Sequence, residues 1–277
     1  MEFDLQDPLA CFKEHQYSST TTISQLFASE SDHMPSPKSL ASSHSHLSFR
    51  CGAVSLILQV QFSCNLDPFV AYLAINYLQR FMSTQEIPQG KPWLIRLVAI
   101  SCLSLASKMK NTPFSLSGIQ KQGCILEAQS IQKMELLILG ALNWRMRSIT
   151  PFPFLHFFIS LAEFKDQALK EAIKERASEI IFNAQNDIKL LEYKPSTIAA
   201  SALMYASHEL ASPRQYSILR SSVSACEYLD EETLSKCFDL IQEMVRMEAK
   251  ESVMDTSFLC TETPMSVLER NIKRQRI

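Results

Sequence analysis

Glycine is the residue that most limits what this chain can fold into, because it occurs only five times in 277 residues. The positions are Gly52, Gly90, Gly118, Gly123 and Gly140, and none belongs to a GxGxxG or GxxxxGK motif. Such phosphate-binding loops need glycines so that backbone amides can approach the anion. The sequence therefore argues against Rossmann and P-loop enzymes, and the scarcity of glycine favours helices over turn-rich sheets.

Charge and cysteine usage narrow the class of protein further. The 27 basic and 29 acidic side chains nearly cancel, which argues against a nucleic-acid or membrane partner. None of the eight cysteines forms a CxxC pair, and His156 and His208 stand alone, so we predict no metal and no cofactor. The acidic N-terminus lacks a following apolar stretch, and no apolar run approaches the roughly 20 residues that span a bilayer. We therefore expect a cytosolic or nuclear protein.

The chain divides into two polar tails around a series of helical patterns. Residues 1–47 are rich in Ser, Pro and His and are expected to be disordered, as is a second tail over 249–277. Apolar periodicity predicts helices over 68–81, 93–108, 128–144, 154–164, 167–191, 195–210, 213–223 and 230–247. The prolines of Thr150-Pro151-Phe152-Pro153 break this series. The pattern predicts an all-α fold with two tandem domains, 48–148 and 149–248.

Four segments carry a resemblance to a known family. Residues 71–83 are AYLAINYLQRFMS, 97–108 are LVAISCLSLASK, 131–146 are IQKMELLILGALNWRM, and 194–203 are KPSTIAASAL. Together they resemble the cyclin box over roughly residues 48–248, and more narrowly the plant D-type cyclins close to the D6 subgroup. The resemblance implies two five-helix cyclin folds. It also implies a non-catalytic subunit that activates a cyclin-dependent kinase, of the A type, at the G1/S transition.

The resemblance assigns roles to five positions of the first domain, namely Arg50, Gln79, Leu97, Lys108 and Glu135. Lys108 and Glu135 would hydrogen-bond backbone groups of the kinase near its αC helix and activation segment, with Leu97 as packing. A lysine favoured at a helix C-terminus and a glutamate on a solvated helix face are the plainer interpretations.

Arg50 and Gln79 would tie the first two helices together. The family usually has aspartate where this chain has Gln79, which keeps an acceptor but loses the charge. We therefore expect a looser junction, and expect Gln79→Asp to raise both the melting temperature and the affinity for the kinase. The plainer alternative is that Arg50 extends to water and that Gln79 is an ordinary surface residue.

Two further departures concern docking of substrates. The Leu-x-Cys-x-Glu motif of D-type cyclins is missing from residues 1–47, and the near match Phe258-Leu259-Cys260-Thr261-Glu262 is expected to be chance. Binding of a retinoblastoma-related protein is therefore predicted to be weak. Leu56 stands where the family commonly has tryptophan, which predicts weaker docking of basic-hydrophobic substrate motifs. Kinase inhibitors are further expected partners.

The tails carry candidate regulatory residues. Ser36 and Thr263 precede prolines and are candidate phosphorylation sites. A basic cluster near residue 277 predicts nuclear import, and the alternative is an ordinary run of solvated charges. The cluster consists of Arg270, Lys273, Arg274 and Arg276.

Three rival functions were weighed. A cyclin-fold transcription factor would need a zinc ribbon and a basic domain, and the sequence has neither. An enzyme would need a histidine or a glycine-rich loop beside its catalytic carboxylates. The sequence pattern offers neither beside the candidate carboxylates Glu231, Glu232 and Asp239. A pseudo-cyclin that binds a kinase without fully activating it stays open, because one of the five key positions has changed.

Overall fold

The structure is a computed structural model that describes residues 20–35, 44–88, 91–114, 126–162, 164 and 166–259. Within these ranges all regular structure is helical, so the all-α prediction is confirmed. The helices are α1 (Thr20–Ser29), α2 (His44–Ser63), α3 (Pro68–Thr84), α4 (Pro92–Met109), α5 (Ala128–Ala141), α6 (Phe152–Leu161), α7 (Gln167–Ala184), α8 (Pro195–Leu210), α9 (Pro213–Ser224) and α10 (Glu231–Leu259). Two 3₁₀ turns cover Glu30–His33 and Ile188–Glu192.

Local capping explains where several helices begin. The Asp67 carboxylate accepts a hydrogen bond from the Phe69 amide at 2.8 Å, with Pro68 at the first helical position of α3. Ser212 and Gln215 form a reciprocal capping box at the start of α9. Such caps satisfy amides that have no partner inside the helix.

Each domain is built around one central helix. In the first domain α4 contacts α2, α3 and α5, and in the second domain α8 contacts α6, α7, α9 and α10. Helix α4 is long and apolar enough to cross a membrane, with a mean hydropathy of 1.3, but 61% of it is buried inside the chain. This burial is what the central helix of a domain core requires.

The N-terminal tail is a correction to the sequence-based expectation of disorder over 1–47. Residues 20–33, which we call the N-terminal clasp, form α1 and a 3₁₀ turn, and α2 begins at His44. Phe27 is buried, with its ring centroid 4.9 Å from that of Phe154 and stacked on Tyr228 at 4.4 Å. The polar composition predicted disorder, but packing against the second domain offsets the entropy of ordering this helix.

Several predicted helix ends also differ from the structure. The predicted helix 167–191 stops at Ala184, because Asp187 accepts from the Lys189 amide and caps a separate 3₁₀ turn. At the far end α10 continues to Leu259, beyond the boundary expected at 249. The first end lies where apolar periodicity continues past a local change of backbone, whereas at the second the helix continues into the segment that was expected to be a polar tail.

Candidate functional site

Lys108 and Glu135 meet at the surface of the first domain. Lys108 lies in the last turn of α4, and its Nζ is 2.6 and 2.7 Å from the two carboxylate oxygens of Glu135 on α5. The Lys108 side chain is 61% exposed, whereas that of Glu135 is only 9% exposed. Glu135 is therefore not on a solvated face. The nearly buried carboxylate holds an exposed ammonium group that keeps one N–H donor free of these two hydrogen bonds.

The neighbourhood of this pair is partly apolar. Leu97 is buried in the first-domain core. Leu136 and Leu137 follow Glu135 on α5 and are exposed, and Trp144 just beyond α5 is 67% exposed. Exposed apolar side chains on a folded domain are typical of a surface that binds another protein.

The turn after α5 has an unusual backbone. Asn143 and Trp144 both have positive φ, at 51° and 58°. This left-handed conformation is costly for a tryptophan and persists only where the surroundings enforce it.

Arg80 is a buried residue that was not predicted from the sequence, and its hydrogen bonds hold this turn. It is buried on α3 and donates from Nη1 to the Arg145 carbonyl at 2.9 Å and to Ser148 Oγ at 3.0 Å. Ser148 in turn donates to Asn76 Oδ1 at 2.7 Å. The available signal was an arginine inside a predicted buried helix, since such a charge needs fixed partners.

Arg50 contradicts the predicted pairing within the first domain. Its guanidinium is buried and donates to the carbonyls of Gln185 and Asn186, the latter at 3.2 Å, just after the end of α7. No hydrogen bond joins it to Gln79, and its Nε has no partner among the described residues. Arg50 therefore caps the C-terminus of a second-domain helix, where a cation is favoured. Burial lowers the pKa of Arg50, and Cys51 and Asp187 act in the opposite direction.

Gln79 is buried rather than exposed, so the alternative of a surface residue is also wrong. Its amide Nε2 has no partner among the described residues, and it lines a cavity of about 50 Å³ between the domains. Gln185 lines the same cavity and donates from Nε2 to the Tyr72 carbonyl at 2.9 Å. The junction is thus held by Arg50 and Gln185, and Gln79 adds an unsatisfied donor to it.

Glu30 of the N-terminal clasp forms a second polar contact between the chain's two halves. Its fully buried carboxylate accepts from the Ser196 amide at 3.0 Å and the Ser196 hydroxyl at 2.9 Å, with Lys194 Nζ at 3.9 Å. Ser196 lies in the first turn of α8, where a helix favours an anion. Burial raises the pKa of Glu30, and this effect outweighs that of the hydrogen bonds from Ser196, which lower it. The sequence analysis missed this residue.

Other predicted residues lie apart from this site. Glu232 pairs with Lys236 within α10, at 2.6 Å. Within the described ranges no three His, Cys, Asp or Glu side chains are grouped so that they could hold a metal. The candidate residues Ser36, Cys260, Thr263, Arg270, Lys273, Arg274 and Arg276 lie outside the described residues.

The structure is that of an all-α protein with two tandem helical domains. The cyclin N-terminal domain family matches residues 21–147, and the cyclin C-terminal domain family matches residues 149–258. The chain belongs to the cyclin family. The first match begins at residue 21 and so includes α1, which the sequence analysis had placed in a disordered tail.

Relatives narrow this assignment to plant D-type cyclins. The chain is 41% identical to cyclin-D6-1 of Arabidopsis thaliana, over 98% of this chain and 90% of that one. It is 35% identical to cyclin-D6-1 of Oryza sativa subsp. japonica, over 96% and 81% of the two chains. The predicted resemblance to this group is thereby confirmed.

Solved structures show the same fold. A viral cyclin from herpesvirus saimiri matches with a TM-score of 0.57 and 20% identity, over 71% of this chain and 86% of that chain. A chain of the CAK complex from Chaetomium thermophilum bound to ATP-gamma-S matches with a TM-score of 0.54 and 18% identity, over 86% and 81%. The prediction of two tandem cyclin folds is confirmed.

Proposed function

We propose that this cyclin binds and activates a cyclin-dependent serine/threonine kinase and so promotes the G1/S transition. Membership of the cyclin family supports a regulatory rather than a catalytic role. The observation that carries the proposal is the Lys108–Glu135 pair, in which a nearly buried carboxylate presents an exposed ammonium group on a domain that also exposes apolar side chains.

The pair suits a partner's backbone. Lys108 can donate to carbonyls of a docked segment, and Glu135 can accept from its amides, so the two groups together fix the register of that segment. Because Glu135 already orients Lys108 in the free chain, little side-chain freedom is lost on binding. Leu136, Leu137 and Trp144 supply apolar area, which dominates affinity at such interfaces.

Activation needs no catalytic group on the cyclin. A protein kinase is active when its β3 lysine pairs with its αC glutamate and its activation loop is ordered. A rigid surface that binds only this arrangement of αC raises its population in proportion to the difference in affinity for the two states. The central helix α4, buried over Leu97–Ser107, provides the rigidity that this role requires.

The proposal includes partners and location. We propose an A-type kinase as the main partner and kinase inhibitors as further ones. Binding of a retinoblastoma-related protein is expected to be weak, because residues 1–47 lack the Leu-x-Cys-x-Glu motif.

Nuclear import is assigned to the basic cluster Arg270, Lys273, Arg274 and Arg276. Deleting residues 270–277 should remove nuclear fluorescence of a tagged full chain, and unchanged nuclear signal would contradict this assignment.

The test uses the purified full chain, an A-type cyclin-dependent kinase, and a histone substrate. Lys108→Ala and Glu135→Ala should each weaken binding about tenfold, corresponding to about 1.4 kcal/mol. The matched control is Lys236→Ala, which breaks an ion pair with the same 2.6 Å separation on α10 and should leave affinity unchanged. Equal affinities for the wild type and both site variants would contradict the proposed surface.

A second candidate function is a cyclin that binds the kinase without fully activating it. The buried Gln79 amide, which has no partner among the described residues, supports this candidate, because it weakens the junction between the two domains. The same complex distinguishes the two: histone phosphorylation favours activation, whereas binding without phosphorylation favours the second candidate.

A further inference from the structure

An open groove of about 530 Å³ lies between the N-terminal clasp and the first domain. Ser29, Asp32 and His33 of the clasp line one side. The other side consists of Met109, at the end of α4, and the turn Trp144, Arg145, Met146 and Arg147 after α5. Since Met109 follows Lys108 directly, the groove borders the proposed kinase-binding surface.

The groove combines apolar and cationic groups. Trp144 is two-thirds exposed and is held in a left-handed backbone, so its ring stays at the surface although that conformation is costly. Arg145 and Arg147 add two positive charges, and the one acidic side chain that lines the groove, Asp32, already pairs with Arg145 at 3.7 Å. The complementary ligand is a segment in which apolar side chains alternate with carboxylates.

The chain itself contains one such segment outside the described residues. Residues 2–7 are Glu-Phe-Asp-Leu-Gln-Asp, with three acidic and no basic side chains. Residues 36–43 contain no acidic or aromatic side chain, residues 115–125 contain one basic and no acidic side chain, and residues 260–277 carry four basic against two acidic side chains. Charge therefore selects residues 2–7 among the four longest undescribed segments.

We propose that residues 2–7 bind in this groove, with Phe3 and Leu5 against Met109 and Trp144 and with the carboxylates facing Arg145 and Arg147. The reach is sufficient. Helix α1 places its end at Ser29 about 14 Å from its start at Thr20, since a helix rises about 1.5 Å per residue. Twelve residues, 8–19, join the segment to α1 and can extend to about 40 Å.

Binding within one chain needs only a weak contact. A short tether gives an effective concentration in the millimolar range, so even a millimolar affinity would occupy the groove about half of the time. The bound segment borders Lys108 and competes with any partner that covers Trp144. This regulatory consequence rests on the proposed kinase function, whereas the docking itself does not.

Tryptophan fluorescence tests the docking directly, because the chain has two tryptophans, Trp93 and Trp144. In the full chain with Trp93→Phe, Trp144 is the sole reporter. Adding Phe3→Ala and Leu5→Ala should shift its emission to longer wavelength and raise acrylamide quenching about twofold. The matched control carries Trp144→Phe, so that Trp93, with a similar exposed fraction of 56%, reports instead and should not change.

Charge reversal sharpens the assignment to this groove. In the Trp93→Phe chain, Arg147→Glu should expose Trp144 in the same way, and combining it with Asp4→Lys should restore the shielding. Unchanged Trp144 quenching after Phe3→Ala and Leu5→Ala would overturn the proposal. Shielding that increases with protein concentration would also overturn it, because a second copy of the chain would then be the occupant.

Kinase affinity separates this proposal from the proposed function. With a cyclin-dependent kinase, Phe3→Ala and Leu5→Ala should tighten binding several-fold, because a competitor for the surface is removed. Shielding of Trp144 without any kinase binding would support the docking and contradict the proposed function. Kinase binding without shielding would do the reverse.

Discussion

Two charged side chains from the N-terminal part of the chain are buried against the second domain, and each lies at the end of a helix. Glu30 lies at the N-terminus of α8 and Arg50 at the C-terminus of α7, so both have the sign that the helix favours there. They differ in how completely they are satisfied. The Glu30 carboxylate has two hydrogen bonds and a nearby lysine, whereas Arg50 Nε has no partner among the described residues, and nor does the Gln79 amide at the same junction between the domains.

The difference shows that a charge at a helix end is not by itself a complete interaction. The desolvation of a buried charge is offset only when its remaining donors or acceptors are also paired. Glu30 meets this condition through one residue, Ser196, which supplies both an amide and a hydroxyl. Arg50 has five N–H donors, and two carbonyls do not satisfy them all.

The largest effect is expected for Glu30→Ala. It should lower the free energy of unfolding by about 3 kcal/mol, because two hydrogen bonds to a charged acceptor are lost and the Ser196 amide is left buried. Urea unfolding of the full chain measures the change. Glu232→Ala, which breaks an exposed ion pair, is the control and should leave stability nearly unchanged. Equal effects for both variants would mean that the clasp is held by Phe27 alone.

Arg50→Ala is expected to cost less, about 2 kcal/mol, because the lost hydrogen bonds are partly offset by not burying the guanidinium. The measurement is again urea unfolding. Arg176, which pairs with Glu209 at 2.7 Å on the surface of the second domain, provides a matched arginine for comparison. If Arg50→Ala were as destabilising as Glu30→Ala, the incomplete hydrogen bonding of Arg50 would have no energetic consequence.

Variants of Gln79 test whether the less completely hydrogen-bonded junction around Arg50 can be stabilised. Gln79→Met should raise the free energy of unfolding by about 1 kcal/mol, because it removes a buried donor without a partner. Gln79→Asp should raise it as well, by offering a carboxylate to Arg50 Nε. Thermal unfolding of the two variants beside Gln79→Ala measures this. A fall in melting temperature with aspartate but not with methionine would show that residue 79 does not reach Arg50.

The smallest effect concerns pH. The pKa of Glu30 is raised in the folded chain, so the folded state binds more protons than the unfolded state above pH 4.5. The contribution of Glu30 to stability is therefore largest below pH 4.5 and is lost as the pH rises through the folded pKa.

Comparing the wild type with Glu30→Gln tests the direction of this pH dependence, because the other titrating groups are the same in both chains. His33, whose pKa is lowered mainly by burial, is present in both chains and cancels from the difference. The stability of the wild type relative to Glu30→Gln should fall as the pH is raised from 4 to 7, as measured by urea unfolding. A difference that rises over this range would show that the hydrogen bonds from Ser196 outweigh desolvation.

Most helices of both domains were predictable because their signals are local, but α2 (His44–Ser63) was not predicted from apolar periodicity. Asp67 before Pro68 marked the start of α3, and apolar residues spaced three and four apart marked α5. The clasp was missed because its threonines and serines suggested disorder, although Ile23, Leu26 and Phe27 have helical spacing. The choice between disorder and order depended on a surface supplied by Phe154 and Tyr228, far along the chain.

The candidate site was predictable only in part. The resemblance placed Lys108 and Glu135 on one surface, and the structure brings them within hydrogen-bonding distance of each other. It could not place Arg50, because the carbonyls that Arg50 contacts belong to residues about 135 positions later. A backbone carbonyl has no sequence signal, so contacts to it depend on how the two domains pack.

The separation of these contacts along the chain has a consequence for synthesis. Glu30 leaves the ribosome 166 residues before Ser196, and at about 5–20 residues per second this interval is on the order of ten seconds or more. A segment that is made before both domains is therefore among the last to reach its final place. During that interval the apolar face of α1 has no native partner, which makes it a candidate contact for chaperones that bind nascent chains.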